Sequence, residues 1–247
     1  MAQRIVAVVA VLLCAVVVVA YQASRPAKAP ADPRVFVPSP GFFLDFSPSF
    51  RTTVADAYYL QMVQYYGEHV NGDGRLDSLP QMVDLVTRLS PHFTRAYLFG
   101  AFALIDAGHP ELGYQLLERG CREDPDEWRF PAYLGFFAYR YGEGEGKNLV
   151  ASRWYEKAAA IPGSPSYLPR LAAVLATKGG DTEKAIVMWG QAYMGGDKYV
   201  RKRAVSELEA LLPKDKAARM KAVALLLGTM PRDDFDALVA ELFQGYT

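Results

Sequence analysis

Histidine and cysteine are scarce in this chain, three and two in 247 residues, and that scarcity excludes several chemistries. His69, His92 and His109 each fall at a predicted helix end or turn. None has a second ligand at a metal-binding interval, so no metal is expected. Cys14 lies in an apolar N-terminal run and Cys121 late in a predicted helix, so the pair cannot frame a disulfide scaffold and the redox compartment stays open. Cys121 reads as a packed small thiol rather than a nucleophile. An excess of one charge is lacking too: 27 Lys and Arg balance 27 Asp and Glu, and the isoelectric point is near 6.8. That balance gives no electrostatic reason to propose nucleic acid as a partner. The stretch from Gly142 to Asn148 superficially evokes a phosphate loop, but its spacing is wrong, Asn148 replaces the required hydroxyl, and no strand precedes it. No nucleophile, base and oxyanion site can be assembled from the pattern. Neither an enzyme, a cofactor nor a small-molecule substrate is expected.

What is present begins with an uncharged apolar run from Ile5 to Tyr21. As a helix it would reach about 25 Å, short for a hydrocarbon core of about 30 Å yet longer than the apolar region of a secretory signal. It reads as a retained single-pass anchor, with a cleaved export signal as the alternative; Leu12 and Leu13 before Cys14 speak against a lipoprotein. Arg4 stands before the run and Arg25, Lys28 and Arg34 after it, a count that by itself favours the domain inside. The resemblance to an export signal places it on the extracytoplasmic side instead, and that is the reading adopted. Six prolines between Gln22 and Pro48 predict an extended tether. Within it the cluster Phe42, Phe43, Leu44 and Phe46 is too apolar for a free linker and is expected to dock on the first helices, with contact to lipid headgroups as the alternative.

Thr52 to Val70 carries apolar residues at helical intervals, with Ser47 or Ser49 available as a cap, and Leu79 to Leu89 reads as a second helix. The loop between them, Asn71 to Asp77, is similar to the middle of an EF-hand calcium loop, with Asn71, Asp73 and Asp77 as oxygen donors. It has His69 where the first carboxylate belongs and Pro80 where the bidentate glutamate belongs. An ordinary Asn/Gly turn is therefore the expectation.

The chain is organised around Thr94 to Glu127, a two-helix hairpin punctuated at Ala107-Gly108-His109-Pro110 and stopped by Asp124-Pro125. Gly100, Ala101, Gly113 and Gly120 are costly inside helices unless another helix must come close. The stretch resembles a tetratricopeptide repeat, whose period is about 34 residues. Leu134-Gly135, Ala151, Tyr155 and Ala158 mark a second unit, and Ala172-Ala173, Ala185, Trp189 and Ala192 a third, with Ala151 and Ala185 34 residues apart. Pro91 and Pro125 stand at the same interval. Tyr199 to Leu212, Lys214 to Leu227 and Arg232 to Phe243 read as terminal capping helices.

The fold class expected is therefore all-α: an antiparallel helix-hairpin solenoid of tetratricopeptide type behind an N-terminal transmembrane or signal helix. Residues 1–23 form the anchor or signal, 24–48 the tether, 49–195 the repeats and 196–247 the cap. In proteins of the family the first helix of each hairpin lines a concave groove. The resemblance implies a groove made by Arg95, Leu98, Phe102, Ile105 and Asp106, then Arg129, Ala132, Phe136, Tyr139 and Arg140, then Tyr167, Arg170, Val174, Thr177 and Lys178. Arginines beside aromatic rings suit an extended peptide with a carboxylate or acidic side chain. This sequence lacks the asparagines with which chaperone-binding members clamp a C-terminal carboxylate. The functional expectation is a membrane-tethered scaffold that binds a partner protein or peptide; the alternative is a regulatory or lid subunit of a cell-envelope enzyme.

Overall fold

The structure, a computed structural model, describes residues 13–18, 20, 36–46 and 48–244. Most of the apolar run from 5 to 21, and residues 24–35 of the predicted tether, lie outside that set. Residues 13–18 are helical, and among the described residues no helix is long and apolar enough to cross a membrane. The chain divides into two units after Pro38, and the larger begins at Ser39.

Every element of that larger unit is helical, and no strand occurs among the described residues. In chain order the helices are α1 (Pro40–Phe46), α2 (Arg51–Val70), α3 (Leu79–Leu89), α4 (Thr94–Asp106), α5 (Pro110–Glu123), α6 (Arg129–Tyr141), α7 (Lys147–Ala159), α8 (Leu168–Lys178), α9 (Thr182–Gly195), α10 (Lys198–Leu211), α11 (Lys216–Val223) and α12 (Arg232–Leu242). Short 3-10 turns at Pro48–Phe50 and Ala224–Leu226 precede α2 and follow α11. The class is all-α.

Local chemistry sets the boundaries. Proline stands in the first turn of α3, α5 and α8, where its missing N–H has no partner to lose. Asp181, Asp197 and Asp215 cap α9, α10 and α11 by accepting from Lys184, Val200 and Ala218 N–H at 3.0, 2.9 and 2.8 Å. Gly108 and Gly180 end α4 and α8 with φ of +82° and +79°, the left-handed geometry that closes a helix by back-bonds from His109 N–H to Leu104 O and from Asp181 N–H to Ala176 O. The serine cap expected for α2 does not form; Phe50 occupies that position without a side-chain bond. Residues 40–46, expected within the extended tether, are helical. Pro40 is tolerated at a helix start, and Phe43 finds Tyr58 of α2 at 6.4 Å between ring centroids.

From α2 to α10 each helix packs on the next. The approach is close where the small residues stand. A Cβ on Gly100 would lie 3.0 Å from Val83, on Gly120 2.9 Å from the Phe130 ring, and on Gly135 3.0 Å from Tyr155. Gly100, Gly135 and Ala173 are all buried. Two ranks of helices result. Odd-numbered helices touch through Arg119 of α5 with Asp84 and Thr87 of α3, and through Lys184 of α9 with Glu156 of α7. Even-numbered ones touch through Tyr66 of α2 with Asp106 of α4 and Phe102 of α4 with Phe136 of α6. Between the ranks runs the core, with Tyr97, Phe130, Phe137, Leu168 and Trp189 fully enclosed.

At the C-terminal end α12 packs on α10. Arg219, buried in α11, donates to Leu242 O at 3.0 Å, and Tyr193 OH donates to Glu241 at 2.8 Å. These contacts close the end of the core with a helix whose other side is polar.

Candidate functional site

Helices α2, α4, α6 and α8 form one rank, and the side chains they turn outward decide what this face can bind. Phe102, Phe136, Tyr139 and Tyr167 keep 37%, 38%, 42% and 47% of their surface accessible, which is high for aromatic residues of a helical core and makes a broken apolar row across α4, α6 and the residue that precedes α8. The row is supported from below. Phe102 lies edge-on to Tyr133 at 5.3 Å and to the buried Phe137 at 4.9 Å, and meets Phe136 at 6.0 Å. Rings so clamped lose little freedom when a ligand covers them.

Cations flank the row. Arg95, Arg140, Arg170 and Lys178 make no ion pair among the described residues. Lys178 holds its ammonium 6.0 Å over the Tyr139 ring, and Arg140 lies 5.6 Å over Tyr141, contacts that orient the charge without neutralising it. Tyr155, nearly buried in α7, has its phenol pushed up to about 12, first by burial and then by Tyr167 and Tyr139 nearby. Those three tyrosines and Lys178 thus gather at one place.

The remaining groove positions divide. Arg129 turns back on its own loop, pairing with Glu127 at 2.8 Å and covering Trp128 at 5.4 Å. Asp106 accepts the Tyr66 hydroxyl at 2.7 Å, and this bond, after burial, pushes the Tyr66 phenol up to about 12. Thr177 donates to Ala173 O at 3.0 Å and receives Trp189 Nε1 at 3.4 Å. Leu98, Ile105 and Val174 are half-buried, and Ala132 is buried. Sequence reasoning missed Tyr133, three residues before Phe136 and edge-on to Phe102 at 5.3 Å, and Tyr141, which is exposed and meets Phe137, one turn earlier, at 5.9 Å. It also missed α2, where Leu60, Val63 and Val70 are exposed. An apolar residue on the polar side of an amphipathic helix was the available signal.

The loop from Asn71 to Asp77 closes on the end of α2. Gly72 and Gly74 donate to His69 O at 3.2 and 2.8 Å, Asp73 meets His69 Nδ1 at 2.6 Å, and Arg75 N–H donates to Asp73 at 3.1 Å. The bond with His69, then that from Arg75, holds the Asp73 carboxyl below its usual range. Among the described residues no three His, Cys, Asp or Glu side chains gather as a metal would need. A cavity of about 360 Å³ opens elsewhere, between α3, α4 and α5, with Pro80, Val83, Leu112 and Leu116 as apolar wall. At its mouth Asp84 is committed to Arg88 at 2.8 Å and Arg119 at 3.3 Å.

Cys121 is half-buried, and burial raises its thiol to about 11. At pH 8 only about one molecule in a thousand is thiolate. About a tenth to a quarter of a free thiol is ionised at that pH, so alkylation of Cys121 in a Cys14→Ser variant is expected to be about a hundredfold slower in the native protein than in urea, measured by iodoacetamide labelling and intact mass. Labelling within a factor of ten of the unfolded rate would contradict the burial. No protein-family model matches this chain, and no curated protein matches it in sequence.

Proposed function

We propose that the chain is a tetratricopeptide-type repeat protein whose first-helix rank binds an extended, acidic segment of a partner protein. Its apolar N-terminal run holds that complex at the membrane, on the extracytoplasmic side. The observation that carries the reading is the row Phe102, Phe136, Tyr139 and Tyr167 with Arg95, Arg140, Arg170 and Lys178 beside it. Aromatic rings supply rigid apolar contact, and guanidinium and ammonium groups select carboxylates. The repeat assignment is supported by the alternation of two helix ranks and by glycines at four successive crossings from α3 to α7, which are what stacked hairpins require. An interaction surface without reactive groups fits a scaffold better than a catalyst.

The test places a photo-crosslinking amino acid at Tyr139 in the full chain expressed in native membranes, with a second at the exposed Met220 as control. A discrete adduct is expected from position 139 only. It should fall at least about tenfold when Phe102→Ala and Lys178→Glu are combined, since hot-spot side chains each contribute more than about 1 kcal/mol. Adducts of equal yield from both positions, or an adduct indifferent to the double variant, would remove the groove from consideration.

A further inference from the structure

Five glycines inside helices are explained by neighbours: a Cβ on Gly100, Gly113, Gly120, Gly135 or Gly190 would come within 3.0 Å of another element. Gly67 is different. It lies within α2 (Arg51–Val70), is exposed, and beyond its chain neighbours and its own helix backbone no described atom comes within 4 Å of where its Cβ would stand. Glycine is a poor helix residue, and a close approach is the usual compensation. Among the described residues nothing makes that approach. Around Gly67 the same side of α2 exposes Ala57, Leu60, Val63, Gln64 and Val70, with Leu60 63% accessible. The spacing of three and four residues places them along one face.

We propose that this face is a two-fold interface with a second copy of the chain, two α2 helices running antiparallel. The order of the side chains argues for that occupant. With the axis between Val63 and Gln64, Leu60 stands opposite Gly67 of the other copy and Ala57 opposite Val70. Large faces small in both directions, as an isologous contact demands. A parallel pairing would instead set Leu60 on Leu60, leave a void between the two glycines, and bring Asp56 against Asp56. Antiparallel pairing separates those carboxylates and fills the space over Gly67 with the Leu60 side chain. One face of a 20-residue helix is a small interface, so the dimer dissociates on dilution. The stripe lies on α2, at the end of the same rank, whereas the aromatic and basic side chains named for the peptide groove stand on α4, α6 and α8 and at Tyr167 just before α8.

The test is sedimentation of the full chain in mild detergent from about 1 to about 500 μM, the range in which small interfaces associate. The protomer mass is expected to double with concentration. Gln64→Cys, in a Cys14→Ser, Cys121→Ser background, should crosslink between copies, because position 64 lies next to the axis. Leu60→Asp should abolish the doubling. Gly67→Ala separates this role from a purely structural one: it should raise the Tm of the dilute monomer by a few degrees while weakening the dimer roughly tenfold, a combination that requires the missing methyl to matter only between copies. A chain monomeric throughout, a dimer unaffected by Leu60→Asp, or protection of this face in the monomer by residues before 36 would each overturn the proposal.

Discussion

Phe137→Ala should cost about 3–5 kcal/mol of stability, the range for emptying a fully buried aromatic site. Phe137 is wholly enclosed in α6 and is the hub of the aromatic cluster. Its ring meets Phe102 at 4.9 Å, Tyr114, Phe136 and Tyr141 each at 5.9 Å, and Tyr133 at 6.4 Å. Each favourable ring pair is worth about 0.5–1.5 kcal/mol beyond area burial, so several small losses join the cavity term. A domain with about 5–15 kcal/mol in total would lose much of its margin. Urea unfolding followed by far-ultraviolet circular dichroism is the measurement, read as a fall in the midpoint at constant slope. Because Phe102 and Phe136 lean on this ring, the aromatic row should also loosen, and the near-ultraviolet signal of the folded variant should weaken. A loss under about 1 kcal/mol would mean that the cluster is not packed as described.

Gly113→Leu should destabilise by about 2–3 kcal/mol, against the usual direction for replacing a helical glycine. A Cβ at this position in α5 would sit 2.9 Å from Ala101 O and 2.9 Å from Ile105 Cγ1 of α4. The first of these is backbone, which cannot turn aside as a side chain can; relief requires the two helices to separate. Alanine gains about 1 kcal/mol over glycine in an open helix, yet here Gly113→Ala should lower the Tm. Thermal unfolding of both variants decides the matter. Stabilisation by alanine would show that α4 and α5 do not approach at Gly113, and with it the hairpin packing would fail. The contrast with Gly67→Ala, where the opposite sign is expected in the monomer, makes the pair informative: the same residue type on two helices, one crowded and one open.

Both kinds of substitution depend on how helices share space. Where backbones come within contact distance, small residues are structural and intolerant. Where a helix face is left uncovered, aromatic or aliphatic exposure marks a surface available to another molecule. The row from Phe102 to Tyr167 and the stripe about Gly67 are both of the second kind, and they lie on helices of the same rank.

Much of the fold was legible in the residues alone. The limits of α3 match the periodic run from Leu79 to Leu89, the hairpin of α4 and α5 follows Thr94 to Glu127, and the terminal helices appear near their expected places. Periodicity, proline at first turns and glycine at helix ends act over a few residues, so they can be read locally. The stretch from Lys214 to Leu227 was harder, and splits into α11 and a 3-10 turn where the pattern alone continued one helix. The α1 helix was missed because six prolines argued for extension, whereas the Phe43–Tyr58 contact is between elements.

The site divides along the same line. Aromatic and basic residues on the first helices were apparent from sequence, because helical spacing assigns side chains to faces. Which of them stay available was decided by tertiary structure. Arg129 is drawn to Glu127, Asp106 to Tyr66 and Thr177 to Trp189, while Phe102, Phe136, Tyr139 and Tyr167 remain accessible. Local sequence thus determined the helices and their faces, since propensity and capping depend on near neighbours. Packing determined which groups are consumed and which are free, because that depends on partners up to 48 residues away in the chain, as between Tyr193 and Glu241.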